Sequence, residues 1–513
     1  MLAERYGHKI KTADELRAIL GPAPRQRSVI MCHGVFDLVH PGHIRHLLYA
    51  KSKAHILVVS LTCDAHIKKA YNRPFVPQEL RALNLAALEV VDYVVIDHNP
   101  TPLENLGLLQ PDLFAKGYEY NAAAPNPKTA EEQVVVESYG GEMLFTPGDI
   151  VYSSSVLIET APPNLAIEKL MALMEAEGVT FDTLYRAIES FDKLSVHVVG
   201  DTIVDGLTYT TMIGGMTKTP TVSVRHDKRE DFTGGAGIVA KHLKATGAEV
   251  TFTTVLGDDA YKDFVLEDLA KAGVKVIPVI DRTRPTTQKN TVVCDGYRLL
   301  KIDTLDNRSI SERILSEFET QLADTKAGLV VFSDFRHGIF NSLTIPRLIA
   351  AIPPDSFRAA DSQVASRWGN ILEFKGFDLI TPNEREARFS LADQDTGVRP
   401  LVTRLCREAE AKLVIMKLGS RGILTCRSDK EDTRACFAVD SFVQTLVDPV
   451  GAGDALLAYA MLAKAATGSE VVAALLGSIA AALECEVNGN LPITPDAVRA
   501  RIAQLQKIAT YGN

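Results

Sequence analysis

The sequence predicts an α/β protein in two units, and three observations carry that prediction. At 513 residues the chain exceeds what one hydrophobic core ordinarily organises. Short apolar, β-branched runs alternate with longer segments of helical period, the pattern of mostly parallel sheets covered on both faces. Twice, at residues 34–43 and 448–455, a glycine-bearing turn stands where a helix pattern begins. Unpaired N–H groups and the positive end of a helix dipole meet at such a turn and can hold an anion.

Composition narrows the function classes. Hydrophobic residues make up 46% and charged residues 23%, the balance of a soluble globular enzyme. A formal net charge of −9 without a long basic run argues against nucleic acid or an anionic membrane as the main partner. The first residues, MLAERYGHKIKTADE, carry charge where a signal peptide needs an apolar core, and no uncharged run is long enough to span a bilayer. The cysteines (32, 63, 294, 406, 426, 436 and 485) are odd in number and lack CxxC spacing, so they read as reduced thiols of a cytoplasmic protein.

Residues 1–160 make the first predicted domain. Thr12 and Glu15 form a capping-box pattern that starts a short helix, which Pro22 and Pro24 end. Residues 28–32 read as a buried strand, followed by HGVFDLVHPGHIRHLLYAKS. His40 and His43 flank Pro41-Gly42 at the head of a helix pattern. A metal site built on this pair would need further ligands, and no Cys or Glu stands at useful spacing. The sharper reading has both imidazoles facing a phosphate over the helix N-terminus, stabilising charge that builds on it during displacement.

With Gly34, Val35, Phe36 and Asp37 the run fits GxFDxxHxGH. It resembles the nucleotidyltransferase family that includes glycerol-3-phosphate cytidylyltransferase and the sugar-phosphate adenylyltransferases. The resemblance implies a Rossmann-like domain with the nucleotide at the carboxyl ends of parallel strands, near Asp64. It puts Lys68 and Arg81 at positions that contact phosphates, Lys68 joining the histidines in catalysis. Lys116 and Gly117 stand in register with a segment of the heptose-phosphate adenylyltransferases, where Tyr118 and Glu119 depart from the family pattern. Ser153, Ser154 and Ser155 match a closing motif whose hydroxyls hold the triphosphate. His33 stands where Asn or Tyr is usual, and its role is open. Residues 161–193 keep a helical period and read as two helices connecting the halves.

The second predicted domain spans 194–513. In DPVGAGDA, Gly451, Ala452 and Gly453 follow a strand-like run (441–447) and open an apolar helix pattern (455–466). Asp454, in the first turn, would repel a phosphate at rest, but it can take a proton from a hydroxyl that attacks a phosphoryl group. This stretch resembles the signature of the ribokinase-like (PfkB) carbohydrate kinases, which implies a ribokinase-like α/β domain with a small β lid. By that resemblance Asp201 and Asp205, past the first strand, accept sugar hydroxyls. Gly234 and Gly235 lie in the sugar-binding turn, where Ile238 replaces the family's Asn. Residues 219–225 would join the lid, a kind of sheet whose open edge invites pairing between subunits. Asn383 and Glu386 form an NxxE motif near hydrated Mg²⁺. Lys417, Gly419 and Gly422 belong to the nucleotide loop, with Lys417 in the usual place of Thr. Asp334 ends a strand at the site edge, followed by His337 where the heptose kinases have Lys. Lys289, with Arg298 and Lys301 on strands turning at Asp295-Gly296, either meets the phosphate of an already phosphorylated substrate or is an exposed strand charge.

The pairing resembles the bifunctional heptose-phosphate kinase/adenylyltransferases with the modules in reversed order. It implies two steps: ATP-dependent, Mg²⁺-assisted phosphorylation of a sugar or sugar phosphate of the heptose 7-phosphate kind, then nucleotidyl transfer from ATP or CTP with release of pyrophosphate. A kinase/cytidylyltransferase acting on another sugar or polyol phosphate, and a nucleotide-binding regulatory protein with one degenerate site, are the alternatives. Small-molecule partners and a homodimer or higher homo-oligomer are expected.

Overall fold

The computed structural model describes residues 5–67, 74–117, 127–146, 166–214, 222–363, 370–430 and 435–511. Lys68, Ser153, Ser154, Ser155 and the lid residues 219–221 lie outside these. The chain divides into two compact units, Met1–Leu173 and Met174–Asn513.

In the N-terminal unit, β1 (Val29–Gly34), β2 (Ile56–Thr62), β3 (Tyr93–Asp97), β4 (Leu113–Gly117) and β5 (Glu142–Thr146) form a parallel sheet of order β3-β2-β1-β4-β5. Side chains alternate along a strand. Ile30 and Cys32 therefore enter a core with Leu47, Leu57 and Leu85, while Val29 and Met31 enter another with Leu16, Leu106 and Phe114. That two-sided burial explains why β1 reads as an unbroken apolar run. The Thr12–Glu15 capping box forms with both reciprocal bonds. Strand order reverses between β1 and β4, the switch point at which open α/β sheets form a crevice outside the carboxyl ends of their strands.

The C-terminal unit contributes β6 (Ser195–Gly200), β7 (Thr202–Gly214), β8 (Ser223–Gly235), β9 (Glu249–Leu256), β10 (Lys275–Ile280), β11 (Gln288–Cys294) and β12 (Tyr297–Thr304). There follow β13 (Leu329–Asp334), β14 (Phe357–Ser362), β15 (Leu379–Ile380), β16 (Leu413–Lys417), β17 (Ile423–Arg427) and β18 (Cys436–Val439). Nine of these make the main sheet, β10-β9-β6-β13-β14-β15-β16-β17-β18, parallel as far as β16. The other four make the lid, β12-β11-β7-β8, with Asp295 (φ 49°) and Gly296 (φ 83°) turning the β11–β12 hairpin.

The helix Ala452–Thr467 is buried from Asp454 through Ala463, which accounts for its apolar sequence on every face. The run at 441–447 is not a strand. Val447 and Asp448 N–H both donate to the Cys485 carbonyl (2.8 and 3.1 Å), so this backbone is tied to a helix end instead of a sheet. The helix Phe181–Glu189 packs on the helices Ala452–Thr467, Glu470–Cys485 and Pro495–Tyr511 through Leu184 and Ile188. Among the described residues no helix is long and apolar enough to cross a membrane.

Candidate active sites

In the N-terminal unit the chain leaves β1 at Gly34 and turns at Phe36, in the left-handed region at φ 46°. It enters the helix Pro41–Lys51 through His40, whose Nδ1 accepts from Gly42 N–H (3.1 Å) as the helix cap. A neutral imidazole accepting at Nδ1 carries its proton on Nε2. The Phe36 ring lies 5.1 Å from the His43 ring, which lies 3.8 Å from the His40 ring. His43 Nδ1 is buried without a partner. Burial, reinforced by His40 and His46, pushes the His43 imidazole down to about 4; burial and then Arg45 lower that of His40. Two neutral imidazoles therefore stand at a helix N-terminus. Lys116 and Gly117 end β4 across the crevice, Lys116 paired with Glu132.

Arg81, Asp64 and Asp37, expected at the nucleotide, are bonded into the frame around it. Arg81 is fully buried and donates to the Val35 carbonyl, the Thr62 carbonyl (2.9 Å) and Asp64 Oδ1 (2.6 Å). It locks the ends of β1 and β2 together and takes up Asp64. Asp37 accepts from Phe75 N–H and Val76 N–H, both at 2.8 Å, clamping the chain before the helix Gln78–Ala86. His33 spans the sheet, bonding Ser60 Oγ (2.9 Å) and Thr62 Oγ1 (3.2 Å), with the buried Asp97 carboxylate 3.8 Å away.

In the C-terminal unit Gly451, at φ 85°, caps the helix Ala452–Thr467. A Cβ there would lie 2.8 Å from Glu484 Oε1 and 3.2 Å from Asn490 Oδ1, so only glycine lets the turn close. Asp448 braces the turn by accepting from Val450 N–H (3.2 Å) and pairs with Arg298 of the lid (2.6 Å). Asp454 is buried, with Oδ1 lacking any partner. Burial first, and Asp361 second, raise its pKa well above the usual carboxylate range, while Lys417 opposes them.

Asp205 lies against Gly234, where any Cβ would collide with its carboxylate, and accepts from Asn490 Nδ2 (2.8 Å). Its register partner on β11 is Lys289. Burial raises the Asp205 pKa against the pull of Lys301 and Lys289; burial, then Lys301, lowers that of Lys289. Asp201 and Asp334 are otherwise engaged. Asp201 Oδ2 accepts from Phe335 and His337 N–H (3.0 and 3.2 Å). Asp334 is enclosed by Ser362 Oγ (2.7 Å) and the Arg336 guanidinium (2.8 Å). Both carboxylates brace the 334–337 loop through these bonds.

Asn383 caps the helix Glu384–Leu391 and exchanges bonds with Glu386: Glu386 N–H to Asn383 Oδ1 (2.8 Å), and Asn383 N–H to Glu386 Oε2 (2.7 Å). Gly419 (φ 62°) and Gly422 (φ 81°) shape the turn after β16. Lys417 does not extend into that turn. Its Nζ bonds Asp361 Oδ1 (2.8 Å) and lies 3.1 Å from where a Cβ on Gly453 would sit.

Residues 193–496 match the family model described as pfkB family carbohydrate kinase. The chain belongs to that family. Residues 31–158 match the cytidylyltransferase-like model. The bifunctional protein HldE of Syntrophotalea carbinolica is 38% identical over 144 residues, 28% of each chain. HldE of Rhodopseudomonas palustris (strain TIE-1) is 27% identical over 333 residues, 63% of this chain and 66% of that one. These matches thus cover less than two thirds of the curated relatives. The pfkB unit shares its fold with Escherichia coli phosphofructokinase-2 in complex with substrates and products (TM-score 0.52, 21% identity, covering 61% of this chain and 99% of that one).

Kinases and nucleotidyltransferases of these families use ATP and Mg²⁺. The pfkB unit fits the ion by donor chemistry: a buried Asp454 oxygen without a partner and the Glu386 carboxylate are the hard oxygen donors Mg²⁺ prefers. Among the described residues no cluster of three ligating side chains is present. Sequence reasoning missed Asp361, Asn490 and Glu484 in this kinase centre. Asp361 has a readable signal, an acid near the carboxyl end of an apolar strand just as Asp334 is. Asn490 and Glu484 have none, because only the fold returns the end of the helix Glu470–Cys485 to the GAG turn.

Proposed function

We propose that the chain is a bifunctional enzyme that phosphorylates a sugar or sugar phosphate and then joins the product to a nucleotide. The observation that carries this reading is Asp454: a buried carboxylate with an unpartnered oxygen in the first turn of a glycine-opened helix, within electrostatic reach of the sugar-side Asp205. In the kinase step Asp205 orients a substrate hydroxyl and Asp454 removes its proton. The hydroxyl oxygen bonds to the γ-phosphorus of ATP as the bond to the β–γ bridging oxygen breaks, and the GAG turn meets the developing charge with its N–H groups. Mg²⁺, when bound, neutralises phosphate oxygens; Asn383 and Glu386 would hold its waters. Lys289 and Lys301 flank Asp205 and suit a substrate that already carries a phosphate, as a heptose 7-phosphate does.

In the nucleotidyl step an oxygen of the sugar phosphate attacks the α-phosphorus of ATP or CTP, and pyrophosphate leaves. The His40 and His43 rings and Lys116 are assigned to the phosphates; Lys68, Ser153, Ser154 and Ser155 are assigned there on their sequence pattern. The lid's outer strand β12 is exposed along its length, with Tyr297, Leu300 and Ile302 uncovered, which supports a homodimer or higher oligomer. The free cysteines suit a cytoplasmic protein.

The test is the purified chain with ATP or CTP and a panel of sugars and sugar phosphates, with ADP and pyrophosphate read separately. ADP release with a sugar substrate, and pyrophosphate release with the resulting phosphate ester, support the reading. Nucleotide binding without either product across the panel contradicts it.

A further inference from the structure

Lys417 ends β16, and its backbone is bridged to Asn383 at the cap of the next helix. From there the side chain runs to the middle of the GAG turn. A Cβ placed on Gly453 would sit 3.1 Å from Nζ, 3.6 Å from Cδ and 3.7 Å from Cε, so the whole outer stem lies along that glycine. Asp361, on β14, holds Nζ at 2.8 Å and is itself held by Thr381 Oγ1 (3.0 Å). A cation is therefore fixed at the helix N-terminus, where the sequence pattern shows only backbone N–H groups. The absence of a side chain at Gly453 leaves it room.

We propose that Lys417 is a residue of the phosphoryl-transfer centre, its ammonium meeting the transferred phosphoryl group beside the GAG turn; this rests on the kinase reading above. An ammonium offers three donors, and Asp361 takes one. As the new oxygen–phosphorus bond forms and the bridging bond breaks, negative charge sits on the phosphoryl oxygens, and the leaving electron pair goes to ADP. The substrate proton passes to Asp454. Lys417 stays protonated throughout, and supplies fixed positive charge where those oxygens pass. It also offsets the carboxylates that act on it: Asp361, Glu386 and Asp454. Glycine at 453 and lysine at 417 act as one device, since a side chain on the first would displace the second.

The test is steady-state kinase kinetics of Lys417→Met and Lys417→Arg, after confirming that the wild-type chain releases ADP with a sugar substrate. Lys417→Met is expected to lower kcat about 100-fold or more while the sugar KM stays within about threefold. Lys417→Arg is expected to recover kcat to within about tenfold of wild type. Circular dichroism and thermal melting monitor the folding of each variant. If Lys417→Met fails to fold, the Arg variant decides: folded with kcat down 100-fold overturns the proposal, and retained turnover supports it. A folded Lys417→Met variant with kcat within threefold of wild type overturns it, as does a loss that Arg does not restore. A wild-type chain that releases no ADP with any sugar defeats the kinase reading itself, and this proposal with it.

Discussion

Glu484→Gln tests the electrostatics behind the kinase centre. Glu484 is 1% exposed, neither carboxyl oxygen has a hydrogen-bond partner, and Oε1 lies against Gly451. Burial, followed by Asp454 and Asp448, pushes its pKa up to about 8 from an ordinary 4.5. A group with a raised folded-state pKa contributes stability that is complete below the unfolded value and is lost as pH rises through the folded one. The gap of 8 − 4.5 sets a ceiling of about 5 kcal/mol at about 1.4 kcal/mol per pH unit. Of that, about 2.5 kcal/mol falls between pH 5 and pH 7, and the loss levels off above pH 8. Gln has the same shape and no such titration. Urea unfolding followed by circular dichroism, at pH 5, 7 and 9, gives the stability of each form. The variant should gain about 2–3 kcal/mol on wild type between pH 5 and pH 7 and somewhat more by pH 9. A difference that stays constant within about 0.5 kcal/mol across this range would refute a buried neutral acid at Gly451.

Other expectations follow from the same geometry. Because His43 is held down to about 4, kcat/KM for nucleotidyl transfer should show no histidine inflection between pH 5.5 and 7.5. An inflection near 6.5 that disappears in His43→Asn would contradict this. Lys289→Met should raise KM for a phosphorylated sugar at least tenfold and leave an unphosphorylated analogue nearly unaffected, measured by ADP release; equal effects on both would remove Lys289 from the phosphate. Arg81→Met removes a buried guanidinium's bonds to Asp64 and to the Val35 and Thr62 carbonyls and should cost about 3–5 kcal/mol. Calorimetry should then show the N-terminal unit melting early while kinase activity persists.

Much of this architecture was legible because burial leaves a periodic imprint. The alternation of β1 between two cores, the all-round apolar helix after the GAG turn and the Thr12 capping box follow from local pattern. Charged residues were harder, since a carboxylate or guanidinium in a motif serves equally well as a ligand contact or as a strut. Arg81, Asp37, Asp201 and Asp334 each make a structural bond to a partner distant in sequence, which the motif alone does not show. The segment 441–447 carries strand-like residues, yet Val447 N–H is taken by the Cys485 carbonyl at a helix end and Gln444 N–H by the Glu486 carboxylate. Lys417 shows the same limit from the other side. Its place at the head of a glycine-bearing loop was readable, but its reach to Gly453 depends on Asp361 of β14, two strands away.

Two separable chemistries in one chain are tested most directly by assaying His43→Ala and Asp454→Asn side by side. ADP release would be measured with the kinase substrate, and pyrophosphate release with the pre-formed phosphate ester. His43→Ala should lose pyrophosphate release by about 100-fold or more and keep ADP release, and Asp454→Asn should do the reverse. Full pyrophosphate release from His43→Ala, or full ADP release from Asp454→Asn, would contradict the assignment of the two centres.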